Sequence, residues 1–409
     1  VKVKHLILLT SEFPYGVGET FLENELPYLE EAFEKVTILS LSEHQKLTRT
    51  VGTNTQLNRI PVFLSRMDKL LSLRHVFNGE VRKEIVRLGQ IYGLRLNRRI
   101  LFTVLFSWER ARRIKSHLLK LVNAQTCCYA YWTDDSALAL AQLKDALPNV
   151  RCVSRFHGWD VYFEASEIGY LPFRNYINSM LNAQYAISEK GKAYALERWK
   201  VEHPERIHVA RLGTKKIMDK PNDGRIDIGR KVIVSCSNVI PLKRVELIFE
   251  VLNSLTEYPL HWIHIGDGPL LGSLRRKVDK EVNSHLSVTL AGRMTNEEVL
   301  QLYRRERPFL FINLSTSEGL PVSIMEAMSF GIPVIATDVG GTSEIVNNEN
   351  GHLLSAHPTE GEISDALTSC VEDKEKMNLK RIAAYENWHK KYNADVNYSS
   401  FVDHLLHHS

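Results

Sequence analysis

The sequence predicts an α/β chain folded as two domains, each built on a parallel sheet. Phe309 to Leu314 is a nearly continuous apolar run, suited to a strand buried on both faces. A polar turn, a helical pattern and a second apolar run from Ile332 to Ala336 follow, which reads as strand, helix, strand with a parallel crossover. His5 to Thr10, a helical pattern with Leu22, Leu26, Leu29 and Phe33 on one face, and Val36 to Leu41 repeat that unit near the start. At 409 residues the chain exceeds what one core normally serves, so two domains are expected.

The totals exclude several classes. Hydrophobic content of 44% with 24% charge is ordinary for a globular chain, and a net +4 is too slight to imply nucleic acid. Five cysteines, an odd number without metal-type spacing, point to a reducing compartment, and adjacent Cys127 and Cys128 read as buried thiols. The chain opens on a strand-like run without a signal-peptide pattern, and no apolar run reaches the roughly 18 residues a membrane span needs. A cytoplasmic protein is expected, with no cofactor.

In chain order, the first strand runs into a turn holding Gly16 and Gly18. A dinucleotide fingerprint would need its third glycine at position 21, which is Phe21, so that motif fails. Pro27 should kink the next helix or delay its start. Residues 59–120 hold 15 Lys and Arg against 4 Asp and Glu, a net of +11, so the rest of the chain sums to −7. Apolar residues interleave with this charge, among them Phe63, Leu70, Leu71 and Phe77. The pattern suits docking on an anionic membrane surface, and equally a set of core-packed helices with solvated outer faces. No nucleic-acid-binding motif accompanies it.

Tyr129 to Thr133 and Val150 to Phe156 read as later strands, each ending in polar residues. Strand ends of an open parallel sheet are where ligands bind, which marks His157 and Asp160. The adjacent pair Asp134 and Asp135 lacks the spacing of a metal-holding pair, so no metal is expected. Residues 213–229, rich in Lys, Asp, Gly and Pro, read as a linker, and Lys231 to Ser235 opens the second domain. Asn350-Gly351 suggests a hairpin-like turn. The tail from about Asp373 is helical, with Trp388 and Tyr392 as anchors and Phe401, Leu405 and Leu406 near its end.

The strand–helix unit at 309–341 carries two carboxylates. Glu318 lies in the loop before the helix and Glu326 near its middle, with Pro321 at the first helical position and Gly331 as the C-terminal cap. Free N–H groups at Gly319, Leu320 and Val322 would favour an anion there. Taken singly, Glu318 is equally a helix-start acid and Glu326 a solvated-face residue.

With the Gly319-Leu320-Pro321 turn and Gly331-Ile332-Pro333-Val334, this stretch resembles the donor-binding segment of family 4 glycosyltransferases, retaining enzymes of the GT-B fold. The resemblance is strong over about 230 to 355, motif-level over about 1 to 40 and 150 to 215, and weak over 45 to 125. It implies two Rossmann-like doubly wound domains facing a cleft. Residues 1–212 would bind acceptor, joined by a C-terminal helix of about 385–409 that crosses back, and residues 230–384 would bind donor. It implies a nucleotide-sugar donor, a glycan or lipid-linked acceptor, and work in surface polysaccharide or glycolipid synthesis; membrane docking through 59–120 would set the protein on the inner face of the plasma membrane. Lys243 matches the cation for the donor diphosphate, and Asn238 stands where the family commonly has Arg. Glu326 would take the ribose hydroxyls, Glu318 the transferred sugar, and Arg293 would stack on the base. Gly16 and Gly18 match the loop facing the donor phosphates, His157 the family's cleft histidine, and Asp160 anchors its loop on the acceptor side. A sugar-nucleotide epimerase and a catalytically silent nucleotide-sugar binder use the same fold and stay open as alternatives.

Overall fold

The structure is a computed structural model that describes residues 3–218 and 231–407, so most of the expected linker lies outside the described residues. The chain divides into two compact units, one of residues 1–211 with 398–409 and one of residues 212–397.

In the first unit the strands are β1 (His5–Thr10), β2 (Lys35–Ser40), β3 (Thr55–Arg59), β4 (Thr126–Ala130), β5 (Arg151–Phe156), β6 (Ala183–Ala186) and β7 (Ile207–Val209). They form one sheet in the order β3-β2-β1-β4-β5-β6-β7, with every pairing parallel. β1 and β4 are buried at every position, which is why they read as apolar runs rather than alternations. The order reverses between β1 and β4, so a crevice opens at their C-terminal ends.

The helix Leu22–Ala32 runs through Pro27 and buries Leu22, Leu26 and Leu29, so the proline does not delay its start. Residues 59–120 fold mainly as helices: Arg66–Leu71, Gly79–Gln90 and Arg98–Leu118, with a tighter turn at Ser72–Phe77. Val81, Leu88, Val104, Leu105, Ile114 and Leu118 line the core beside that sheet. On the sheet's other face, Phe401 and Leu405 of the helix Ala394–His407 pack with Leu8, Tyr129 and Tyr185.

In the second unit the strands are β8 (Lys231–Cys236), β9 (Leu260–Ile265), β10 (Leu286–Gly292), β11 (Leu310–Asn313), β12 (Val334–Thr337) and β13 (Gly351–Leu354). Their order is β10-β9-β8-β11-β12-β13, all parallel, which is the dinucleotide-fold order with its reversal between β8 and β11.

Two expectations change. Asn350-Gly351 is not a hairpin-like turn, because β13 runs parallel to β12 and the connection carries a short helix, Thr342–Ile345. Asn350 instead ties that connection together, accepting from Asn347 N at 2.9 Å and donating to Ile345 O at 2.8 Å. The C-terminal change of unit falls at Tyr398 rather than near 385. Trp388 and Tyr392 are fully buried anchors, but of the second unit: Trp388 Nε1 donates to Thr214 Oγ1 at 2.7 Å and Tyr392 OH to Glu344 O at 2.9 Å.

Candidate functional site

The reversal in the second unit gathers three loops. The loop after β8 is pressed against the loop after β9: a Cβ on Gly266 would stand 1.9 Å from Ser237 O, so only glycine allows that approach. The loop after β11 is held to the first by Thr316 N donating to Leu242 O at 2.8 Å. Gly340 (φ 53°) closes the third side, where a Cβ would lie 1.8 Å from Glu318 O.

This scaffold brings Lys243 and Glu318 into contact, Nζ to Oε1 at 2.6 Å, with 19% and 11% of their side chains exposed. Asn313, the last residue of β11, donates to the same carboxylate oxygen at 3.2 Å. Its own Oδ1 is fixed by Ser315 N and Oγ at 3.0 and 2.6 Å. Pro321 caps the helix Val322–Ser329 rather than beginning it, and Gly331 (φ 67°) ends it as expected. Among the described residues, the N–H groups of Gly319, Leu320 and Val322 donate no hydrogen bond. A cation, an acid and a set of open amides therefore share one strand end.

Glu326 is buried in that helix and accepts a hydrogen bond from Asn296 Nδ2, the first residue of the helix Asn296–Glu306. Burial, then the Glu326 charge, pushes the thiol of Cys236, the last residue of β8, up to about 12. Tyr303 adds a buried hydroxyl without a partner to the same surroundings. Asn238 and Arg293 are exposed, and neither side chain has a partner among the described residues. Arg244 does not replace the charge missing at Asn238. Its backbone is left-handed (φ 47°), and its guanidinium donates to Ala356 O at 2.9 Å.

In the first unit, the turn after β1 folds on its own acids. Glu19 accepts from Ser11 N, Glu12 N and Phe13 N at 2.7–2.8 Å, and Trp132 Nε1 donates to it at 2.6 Å. Glu12 Oε2 takes the N–H groups of Val17 and Gly18 at 3.3 and 2.9 Å. The Gly18 amide expected to face a phosphate is thus occupied by a carboxylate of the same turn, which also lies against Gly16.

The loops after β4 and β5 are locked to each other. Asp160, fully buried, accepts from Thr133 N (2.9 Å), His157 N (2.8 Å) and Gly158 N (3.1 Å). Arg174 adds bonds to Thr133 O and Asp160 O. Asp160 is therefore an anchor of both loops. His157 is buried among Phe21, Tyr131 and Trp132, and neither ring nitrogen has a partner. Burial, then the Arg155 charge, holds its pKa well below the usual histidine range, so the ring is neutral. Asp134 is pushed up to about 7, by burial first and the Asp135 charge second.

Residues 217–387 match the model of the family described as glycosyl transferases group 1. The match lies within the second unit and ties that unit to the GT4 family. It is 26% identical over 246 residues to the O-antigen biosynthesis glycosyltransferase WbnH of Escherichia coli, covering 60% of this chain and 67% of that one. It is 27% identical to the putative teichuronic acid biosynthesis glycosyltransferase TuaC of Bacillus subtilis, over 35% and 33% of the two chains. Among solved structures, Anabaena Alr3699/HepE, in complex with UDP and glucose, superposes with a TM-score of 0.63 at 14% identity, over 98% and 99% of the chains. TarM superposes at 0.69, 14% and 99% of each. The fold is GT-B.

In this glycosyltransferase the structure joins Lys243 to Glu318, and Glu326 to Asn296. It also adds residues the sequence did not flag: Asn313, Asn296, Glu12, Glu19 and Arg174. An acid two residues past β1 followed by two glycines was a usable signal for Glu12; nothing local marks Asn296, which is an ordinary first-turn residue.

Proposed function

We propose that this enzyme is a retaining glycosyltransferase that moves a sugar from a nucleotide-sugar donor to a glycan or lipid-linked acceptor, in surface polysaccharide or glycolipid synthesis. The observation that carries the proposal is the Lys243–Glu318 pair at a strand end beside open helix-start amides. In the donor complex Lys243 and those amides stabilise the diphosphate as charge grows on it during departure. Glu318 turns to the hydroxyls of the transferred sugar, and Glu326, oriented by Asn296, takes the two ribose hydroxyls. Substitution proceeds on the front face. The bond from the anomeric carbon to the phosphate oxygen breaks, the acceptor oxygen bonds to that carbon, and the acceptor proton passes to the leaving phosphate. His157, neutral and unpartnered, is the first-unit group offered to a sugar hydroxyl. The UDP and glucose held by the Anabaena protein support a UDP-sugar as the first donor to try.

Thermal-shift titration with UDP, UDP-glucose and other nucleotide sugars tests the proposal, since a ligand of the folded state raises the melting temperature with concentration. No shift with any of them overturns it. An epimerase would convert the donor without acceptor, and a silent binder would bind donor yet release no nucleoside diphosphate.

A second reading, docking on an anionic membrane, is favoured by Phe63 and Phe77, 69% and 77% exposed, and by exposed Met67 and Leu70 among Arg66, Lys69, Arg74 and Arg82. The free charge is smaller than the net of +11. Acids outside the stretch take three of its arginines: Glu202 pairs with Arg87, Glu167 with Arg99 and Asp135 with Arg110. No helix of the described residues is long and apolar enough to cross a membrane. Flotation with phosphatidylglycerol vesicles tests this docking, and no binding at low salt counts against it.

A further inference from the structure

The donor chemistry leaves one feature of the first unit unused, an exposed indole on a rigid base. β4 and β5 are parallel neighbours, with Ala130 opposite Ser154, so the loops that follow them emerge side by side. Asp160 then ties the two loops through backbone N–H groups, and Arg174 ties them through carbonyls. The result sets Trp159 against Trp132, ring centroids 5.1 Å apart at 35°. Trp132 is buried, fixed by its bond to Glu19 and packed on His157 at 4.5 Å. Trp159 is 50% exposed.

A large aromatic face kept in water on a locked loop is a ready contact surface, since little ordering remains to be done on binding. Its chemistry selects the ligand. An indole face is electron-rich and suits a flat patch of polarised C–H bonds. The polar group beside it is His157, packed on Trp132 with both ring nitrogens unpartnered. A ligand with an apolar C–H face and a hydroxylated rim satisfies both demands, and a pyranose ring is that shape. An alkyl chain would leave the His157 nitrogens without partners.

We propose that Trp159, backed by Trp132, is the platform of an acceptor subsite that takes the terminal pyranose of a glycan. This rests on the glycosyltransferase reading above and narrows it to acceptors that end in a sugar.

The test is ligand-observed saturation-transfer NMR on the full chain with UDP present. The probes are methyl α-D-glucopyranoside, methyl β-D-galactopyranoside and N-acetylglucosamine. At least one should give transfer strongest on its ring C–H protons. The signal should fall about fivefold or more in Trp159→Ala and only in part in Trp159→Phe, as truncating an aromatic anchor does. Equal signals in Trp159→Ala and wild type, or no signal from any probe, overturn the platform. The UDP thermal shift, read in the same samples, separates the two claims. A normal shift without a Trp159-dependent signal sinks the platform alone, and a Trp159-dependent signal without any shift supports the platform while the donor reading fails.

Discussion

Lys243 Nζ lies 2.6 Å from Glu318 Oε1, joining the turn after β8 to the turn after β11 across 75 residues of sequence. Before donor binds, each of two groups assigned to different parts of the donor neutralises the other. Removing one leaves a mostly buried charge without its partner, which costs more than the pair contributes. Lys243→Ala should lower stability by about 1–3 kcal/mol and weaken UDP binding by about ten- to a hundredfold, the scale of a charge-assisted contact. Glu318→Gln should keep UDP affinity within a few-fold and lose turnover. Calorimetric titration with UDP beside a donor-turnover assay separates them; equal loss of UDP affinity in both variants would refute the division of roles.

Glu326 works through a neighbour. Asn296 donates to its carboxylate from another helix and so fixes the orientation in which it would meet a diol. Glu326→Ala should weaken UDP binding by about ten- to a hundredfold, and Asn296→Ala by a smaller factor, since it removes orientation but not the acceptor. UDP and a 2′,3′-dideoxy analogue distinguish the mechanism. Wild type should prefer UDP and Glu326→Ala should not; an unchanged preference would defeat the ribose assignment.

These contacts show where sequence reading stops. The strands were legible because parallel strands buried on both faces are apolar runs, as in HLILLT of β1 and LFIN of β11. Glu318, Glu326 and Lys243 were legible as motif positions. Their pairing was not, because strand order decides which turns meet, and no local pattern encodes that order. Arg244 illustrates the same limit: a left-handed backbone turns it to Ala356 O. The basic stretch shows that a count of charges says nothing of their partners. Glu109, one of its few acids, engages His75, Arg112 and Arg113.

Arg155 and Glu25 form a fully buried pair, Nη1 to Oε2 at 2.5 Å, with Tyr129 OH donating to Glu25 at 3.1 Å. The guanidinium carbon also sits 4.0 Å from the centre of the Phe401 ring, so this pair fastens the C-terminal helix to the first sheet. Arg155→Ala should cost about 3–5 kcal/mol, because it strands a buried carboxylate. The double variant Glu25→Gln with Arg155→Ala should be more stable than Arg155→Ala alone. Urea midpoints for the single and double variants give the coupling. Additive losses would show the pair to be energetically independent.

Glu109 gives the first unit an acid-sensitive joint. Burial raises its pKa, but hydrogen bonds from Arg112, His75 and Arg113 outweigh that and hold it down to about 2, against an ordinary 4.5. A depressed carboxylate pKa means the unfolded chain takes up a proton more readily than the folded one, so acid favours unfolding. Its contribution is complete above about pH 4.5 and lost as pH falls toward 2. Glu109→Gln should therefore lower the urea midpoint at pH 7, and the gap from wild type should narrow between pH 5 and pH 3. A gap that stays constant over that range would show that packing of the side chain, and not its charge, holds the Arg98–Leu118 helix to the turn at His75.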